Sequence, residues 1–360
     1  MSDLASRAFR RILLIKPSSP GDIIHALPVL HGLRRRYPKA HLAWLVATPF
    51  ADLIEADPAL DEVIRFDRKR FGRLARSPAV AREFIAFVKE LRRKRFDLVV
   101  DLQGLFRSGF LALASGAEVR IGFAAARELA WLFYTHKIPR GDPDDHAADK
   151  NYRVADMLGF ADAPMDFSIT TTDDDRRQAA QLLEASGLDT EQRYAVLVVA
   201  TRWETKCWPP QQYGELAALL RQRHGIASLL VGGADDIEQG RIAKQASAGA
   251  AENICGKTTL RGLAALIDGA AVVVTADSTP MHMAAAMDRP LVALFGPTNP
   301  DRTGPYGRSH DVLSINLECS PCYVRKLGQC AHDHACMGQI TVESVADAAG
   351  QRLARADAAP

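Results

Sequence analysis

Two doubly wound α/β domains are what this sequence predicts, and three observations carry that reading. The chain has 360 residues, more than one hydrophobic core usually serves, so each half is expected to bury its own. Short β-rich runs alternate with longer helical patterns throughout, as in parallel strands joined by helical crossovers. The alternation also runs twice, with a polar stretch between the two series.

The first series places strands at 12–16, 41–46, 62–66 and 97–101, with helices near 22–36 and 80–95. A polar stretch over 161–175 holds Asp162, Pro164, Asp166 and a run of Thr and Asp, and the domain boundary is set there, between residues 165 and 166. The second series places strands at 194–200, 226–231, 271–276 and 290–295, with helices near 174–186, 210–223, 237–247 and 259–268. Val342, Val345, Ala346, Ala349 and Leu353 then fall on one face of a closing amphipathic helix. The division is 1–165, 166–340, and a closing helix and tail over 341–360. Two such domains facing one another are expected to bind ligands in a central cleft at the carboxyl ends of both sheets.

A net charge of +2 hides an asymmetry. Residues 1–160 carry 27 Lys/Arg against 19 Asp/Glu, and residues 161–360 carry 18 against 24, so the first half is +8 and the second −6. Basic residues cluster at 34–36, 65–76 and 89–95, which suits an anionic partner for the first half. The group at 89–95 comes late in a helix, where cations complement the dipole, and reads as a solvated face. The group at 65–76 is interrupted by Phe66 and Phe71 and follows a strand end, so it reads as a binding loop. The longest apolar runs, such as 270–276 and 290–295, are too short to span a bilayer, and the first residues lack a signal-peptide pattern. A cytoplasmic protein is expected. Four of the six cysteines, Cys319, Cys322, Cys330 and Cys336, sit in one stretch with His332 and His334. Free thiols in a family-specific loop are the leading reading, ahead of a structural metal, because the later spacing departs from standard zinc modules and a reducing cytosol disfavours disulfides.

Four motifs at strand ends carry chemistry. In Ile12-Leu-Leu-Ile-Lys-Pro-Ser-Ser-Pro-Gly-Asp22 a buried strand meets a small-residue turn, where Gly21 is read as permitting a tight turn and Asp22 stands at the mouth of a helix. Position alone favours Asp22 as a helix cap, worth about 1 kcal/mol. The turn lacks the Gly-Lys-Ser/Thr ending of a phosphate-wrapping loop. In Ala200-Thr-Arg-Trp-Glu-Thr-Lys206, Thr201, Arg202 and Lys206 put a hydroxyl and two cations where a diphosphate fits, while Trp208 reads as packing. In Val231-Gly-Gly-Ala-Asp235-Asp236 an acid either holds ribose hydroxyls or caps the next helix. In Asp277-Ser-Thr-Pro-Met-His282, a strand feeds a helix whose first turn forms an anion site with Ser278 and Thr279, and His282 adds a donor one turn in. The bland alternative makes Ser278 a cap and His282 a packed residue; the acid beside both favours a ligand site. Gly296-Pro-Thr298 closes another strand end.

Taken together, the Ser-Ser-Pro-Gly-Asp22 turn, Lys206-Cys-Trp-Pro, Asp277-Ser-Thr-Pro-Met-His282 and Phe295-Gly-Pro-Thr298 resemble the lipopolysaccharide heptosyltransferase family, over a span from Ile12 to about Val345. Asp101-Leu-Gln-Gly-Leu, Arg127-Glu-Leu with Phe133-Tyr134, and His146-Ala-Ala-Asp-Lys150 are most similar to its first-heptose branch. The segment Cys319-Ser-Pro-Cys322-Tyr323 is more similar to the second-heptose and related branches, so the acceptor stays open. Ser278 stands where Thr is common in the family, and Trp203-Glu204-Thr205 replaces a more polar approach to Lys206.

The resemblance implies a GT-B fold with the acceptor on the first domain and ADP-heptose on the second. It implies an inverting, metal-independent displacement with no cofactor, onto Kdo-lipid A or a heptosylated core, at the inner face of the cytoplasmic membrane and with no nucleic acid partner. By motif position it makes Asp22 the general base, and Lys206 and His282 phosphate ligands. Ser278 and Thr279 become helix-start donors, Asp277 a partner of sugar hydroxyls, Thr201 and Arg202 further donor contacts, and Asp235 the ribose residue. Arg68, Lys69, Arg70, Arg73 and Arg127 fall at acceptor-phosphate positions. No Asp-x-Asp pair stands at a strand end to hold a metal. The rival readings are a GT-B transferase or sugar-nucleotide epimerase using another nucleotide sugar, and a non-catalytic nucleotide or lipid A binding protein.

Overall fold

A computed structural model describes residues 4–189 and 192–358 of the chain. Among these the protein divides between Thr170 and Thr171 into two units.

In the first unit β1 (Arg11–Ile15), β2 (His41–Ala47), β3 (Glu62–Phe66), β4 (Leu98–Asp101), β5 (Val119–Phe123) and β6 (His136–Ile138) form one sheet in the order β3-β2-β1-β4-β5-β6. Every neighbouring pair is parallel. Leu13, Leu14 and Ile15 are at most 1% exposed, as a central strand covered on both faces requires. Strand order reverses between β1 and β4, so the carboxyl edge above these two is the switch point where such sheets bind ligands. On one face Leu91 of the helix Pro78–Arg93 and Leu111 of the helix Phe106–Ala114 meet Leu13, Ile15, Leu45 and Val99.

Two local expectations are corrected here. The single helix expected over 22–36 is two, Pro20–Ile24 and Leu27–Arg36. Pro28 has no N–H for the Ile24 carbonyl and its ring would crowd that oxygen, so the chain breaks at His25 and Ala26. Strands β5 and β6 were not expected. β5 carries Arg120 and Gly122 in five residues, and its glycine answers to tertiary packing, since a Cβ there would stand 2.4 Å from the Tyr134 ring.

In the second unit β7 (Tyr194–Val198), β8 (Ala227–Val231), β9 (Ala251–Asn253), β10 (Val272–Ala276), β11 (Leu291–Phe295) and β12 (Val312–Ser314) repeat the plan in the order β12-β11-β10-β7-β8-β9. All pairs are again parallel, and the switch point lies between β7 and β10. The short β9 and β12 escaped the sequence pattern. Trp208 is fully buried, stacks edge-on against Tyr213 at 4.9 Å and donates from Nε1 to the Ile340 carbonyl at 3.0 Å, which makes it a packing residue. The last helix, Val342–Asp357, sets Val345, Ala346, Ala349 and Leu353 into this unit's core beside Leu216 and Leu220. Among the described residues no helix is long and apolar enough to cross a membrane.

Candidate functional site

At the carboxyl edge of the first sheet, the turn after β1 carries Asp22 into the first turn of the helix Pro20–Ile24, with Ser19 as the N-cap. Asp22 is therefore the third helical residue and not the cap. Its Oδ2 accepts from the Ser19 N–H at 2.8 Å and the Ser19 hydroxyl at 2.8 Å, while Oδ1 lies 3.9 Å from Lys16 Nζ. Gly21 sits inside that helix, so the tight-turn role read for it is wrong; the left-handed glycine of this edge is Gly104, at φ 64°. Lys16 is buried and donates to the Leu102 carbonyl at 2.8 Å. It was missed as a site residue because it reads as the end of a strand. The visible signal was a cation immediately after an apolar central strand, a costly place to bury a charge without a partner.

Beside it, Asp101 at the end of β4 is fully buried and holds the following loop. It accepts from Tyr134 Oη at 2.7 Å and from the backbone N–H groups of Gln103 at 2.9 Å and Gly104 at 3.3 Å. Burial pushes the Asp101 carboxyl up, against the pull of the Tyr134 hydroxyl, and burial likewise raises Tyr134. The Arg127 N–H donates to the Gly104 carbonyl at 3.0 Å, which brings exposed Arg127 onto the same edge.

The basic segment after β3 differs from the loop expected. Arg68–Phe71 is a helical turn capped by Asp67, which accepts from the Arg70 N–H at 2.9 Å, and Leu74–Arg76 is a second turn. Phe66 and Phe71, which seemed to interrupt the charges, are its anchors. Phe71 packs against Phe66, Phe84 and Phe87 at 5.3–5.6 Å. Arg70 makes a bidentate pair with Glu83, at 2.5 and 2.6 Å, a partner thirteen residues away that the acceptor-phosphate expectation did not include. Among the described residues Arg68, Lys69 and Arg73 have no such partner. Because all strands point one way, these residues and Arg127 flank the Asp22 turn from β3 and β5, each two strands, or about 10 Å, from β1.

The second sheet's edge gathers the other motifs. Lys206 Nζ meets Asp277 Oδ2 at 2.6 Å, and the same oxygen accepts from Thr298 Oγ1 at 2.7 Å and Thr303 Oγ1 at 3.4 Å. Asp277 is thus first a holder of Lys206. Ser278 leads the helix Thr279–Ala286, yet its hydroxyl bonds Thr275 Oγ1 at 2.8 Å and makes no capping bond to that helix. His282 is buried one turn in, and Thr279 opens the turn half-buried. Thr298 and Thr303 escaped the sequence reading as Asp277 partners, for nothing local ties them to residue 277.

Thr201 Oγ1 donates to the Trp203 carbonyl at 2.9 Å, so its hydroxyl shapes its own loop, while the Arg202 side chain is exposed. After β8 it is Asp236 that turns back to accept from the Gly233 N–H at 2.7 Å, leaving Asp235 exposed at the strand end. A Cβ on Gly232 would stand 2.8 Å from the Asp236 Cβ, the close approach for which that glycine is needed.

The cysteine segment closes over this edge. Tyr323 N–H donates to the Pro297 carbonyl at 2.8 Å, Leu327 N–H to Glu204 Oε2 at 3.1 Å, and His334 Nε2 to the Thr205 carbonyl at 2.6 Å, while Thr205 Oγ1 donates to the Val324 carbonyl. Cys336 seats against Gly296, where a Cβ would lie 2.8 Å from its sulfur. Cys319, Cys322, Cys330 and Cys336 are unbridged. Burial, with the other three thiols adding to it, pushes Cys336 up.

A family model described as glycosyltransferase family 9 (heptosyltransferase) matches residues 84–331. Lipopolysaccharide heptosyltransferase 1 of Pseudomonas aeruginosa is 33% identical, the match covering 87% of this chain and 86% of that protein. The structure of Escherichia coli heptosyltransferase WaaC with ADP superimposes with a TM-score of 0.75 at 29% identity, over 95% of this chain and 99% of that one. A family 9 glycosyl transferase from Veillonella parvula shares the fold with a TM-score of 0.81, at 24% identity over 97% and 99%.

Proposed function

Since the chain belongs to glycosyltransferase family 9, and is therefore a glycosyltransferase of the kind that adds heptose in lipopolysaccharide core biosynthesis, we propose that it transfers heptose from ADP-heptose by an inverting, metal-independent displacement. The observation that carries the donor reading is the cluster of Lys206, Asp277, Ser278 and His282 at the head of the helix Thr279–Ala286. The helix start and the Lys206 ammonium are suited to a diphosphate. WaaC, at 29% identity, was solved with ADP and with ADP-2-deoxy-2-fluoro heptose, which points the nucleotide to adenine.

In this scheme Asp22 removes the proton of the acceptor hydroxyl as its oxygen attacks the anomeric carbon. An ionised carboxylate does this without help from a metal. The departing ADP gains negative charge, and Lys206, His282 and the helix start stabilise it in place. Asp277 positions Lys206 and meets sugar hydroxyls, Thr201 and Arg202 add donor contacts, and exposed Asp235 takes the ribose. In the first unit Arg68, Lys69, Arg73 and Arg127 hold the acceptor's phosphates and carboxylates. A lipid surface for that acceptor is supported by exposed Phe106, Leu129, Trp131 and Leu132 beside Arg127 and Lys137, the pairing of apolar and basic groups that membrane interfaces favour.

Turnover of ADP-heptose with Kdo-lipid A and with heptosylated core, measured side by side, tests the reading and names the acceptor. Stabilisation by UDP-sugars in place of ADP-sugars in a thermal-shift panel would sink it. EDTA should leave the rate unchanged; inactivation that Mg²⁺ reverses would overturn the metal-free scheme. Inactivation reversed only by Zn²⁺, with loss of folded protein, would assign Cys319–Cys336 a structural metal.

A further inference from the structure

The segment after β12 does more than cover the second sheet's edge: it brings a cation to it. Trp203 is half-buried and carries two cations on its ring, with Lys206 Nζ 4.4 Å and the Arg325 guanidinium 4.5 Å from its centroid. An indole face attracts each of them, so the ring holds together two charges that would otherwise separate. The backbone around Arg325 is pinned to the same loop from both sides, by the Val324 carbonyl on Thr205 and by the Leu327 N–H on Glu204. Arg325 therefore has a defined place beside Lys206, although its side chain is exposed.

The charges of this cluster do not balance among themselves. Lys206 is matched by Asp277, and the Glu204 carboxylate is turned to the Leu327 N–H. Among the described residues no carboxylate pairs with Arg325. A cation held by an aromatic ring, next to a second cation and without an anion of its own, is suited to a multiply charged ligand. Its fork of N–H groups fits two oxygens of a phosphate.

We propose that Arg325, carried on the cysteine segment and stacked on Trp203, is a diphosphate-binding residue of the donor site, acting beside Lys206 on the terminal phosphate of a nucleoside diphosphate. The inference rests on the donor-site reading above. It gives the departures at Trp203 and at the cysteine segment one shared purpose: the ring is the platform, and the segment delivers the guanidinium to it.

Calorimetric titration of ADP and AMP into the full chain and its Arg325→Gln and Arg325→Lys variants tests this. Arg325→Gln should weaken ADP about tenfold, the loss of one charge-assisted contact, and leave AMP unchanged, with Arg325→Lys in between and all three proteins melting together. Equal weakening of ADP and AMP would reduce Arg325 to a prop for the segment and overturn the proposal. Unaltered ADP affinity in Arg325→Gln would overturn it while leaving the donor site standing. Failure of the unaltered protein to bind ADP would remove the donor site itself, and this inference with it.

Discussion

Asp22 is where one residue decides the most. Its carboxylate is tied to Ser19 by Oδ2 and faces Lys16 with Oδ1, and its side chain is 43% exposed, so it stabilises a helix start and is open to solvent, as the proposed base must be. The two roles come apart in Asp22→Asn. The amide oxygen can still accept from the Ser19 N–H, so the variant should melt within a few degrees of the unaltered protein and bind donor and acceptor nearly normally. It cannot take a proton, and its turnover should fall by about 10²–10⁴. A folded Asp22→Asn protein that keeps most of its turnover, with chemistry rate-limiting, would leave Asp22 a helix-start residue only. That a carboxylate stood at a strand end was legible in the sequence. That it was the third helical residue, next to a buried lysine, was not, because the chain had to place Leu102 across β1 before Lys16 had a partner.

Among the elements, the basic turn Arg68–Phe71 shows how a pattern can be located correctly and its interior misread. Its aromatics looked like interruptions and are in fact the contacts that fasten it to the helix Pro78–Arg93, while the partner of Arg70 lay thirteen residues on, at Glu83. With Arg70 paired to Glu83, the proposed acceptor ligands of this segment are Arg68, Lys69 and Arg73. Replacing Lys69 and Arg73 by Gln should raise the acceptor Michaelis constant severalfold and leave ADP-heptose affinity nearly unaltered; equal loss of both would refute the division of labour. Attraction of this kind is screened by salt, so acceptor affinity should also fall as ionic strength rises. The break at His25 and Ala26 could have been read from Pro28. The strands β5, β6, β9 and β12 could not, for they are short or broken by polar residues and are strands because a neighbour pairs with them.

At the scale of the whole molecule, each unit is held by long-range polar contacts as well as by its core. In the first, His31 is buried with Nε2 3.0 Å from Asp57 and Nδ1 2.7 Å from the Asp166 carbonyl, fastening the end of the unit to its second helix. Burial by itself would lower the His31 pKa; the hydrogen bonds and charges of Asp57 and Asp166 outweigh it and raise it above 6.5. The folded state thus holds the proton more tightly than the unfolded chain. This stabilisation is complete below pH 6.5 and is lost as the pH rises through the raised value. The melting advantage of the unaltered protein over His31→Gln, a few degrees in size, should therefore shrink between pH 6 and pH 9. A constant difference over that range would show that the contact is not ionic. By itself the sequence determined two rounds of parallel α/β structure and the strand ends that carry the candidate site motifs, because periodicity and turn residues are local properties. Only the tertiary structure decided which groups meet there: Asp277 with Lys206, Thr298 and Thr303, and Trp203 with Arg325. Such pairs form when burial and strand order bring distant segments to one sheet edge, and no local pattern records that choice.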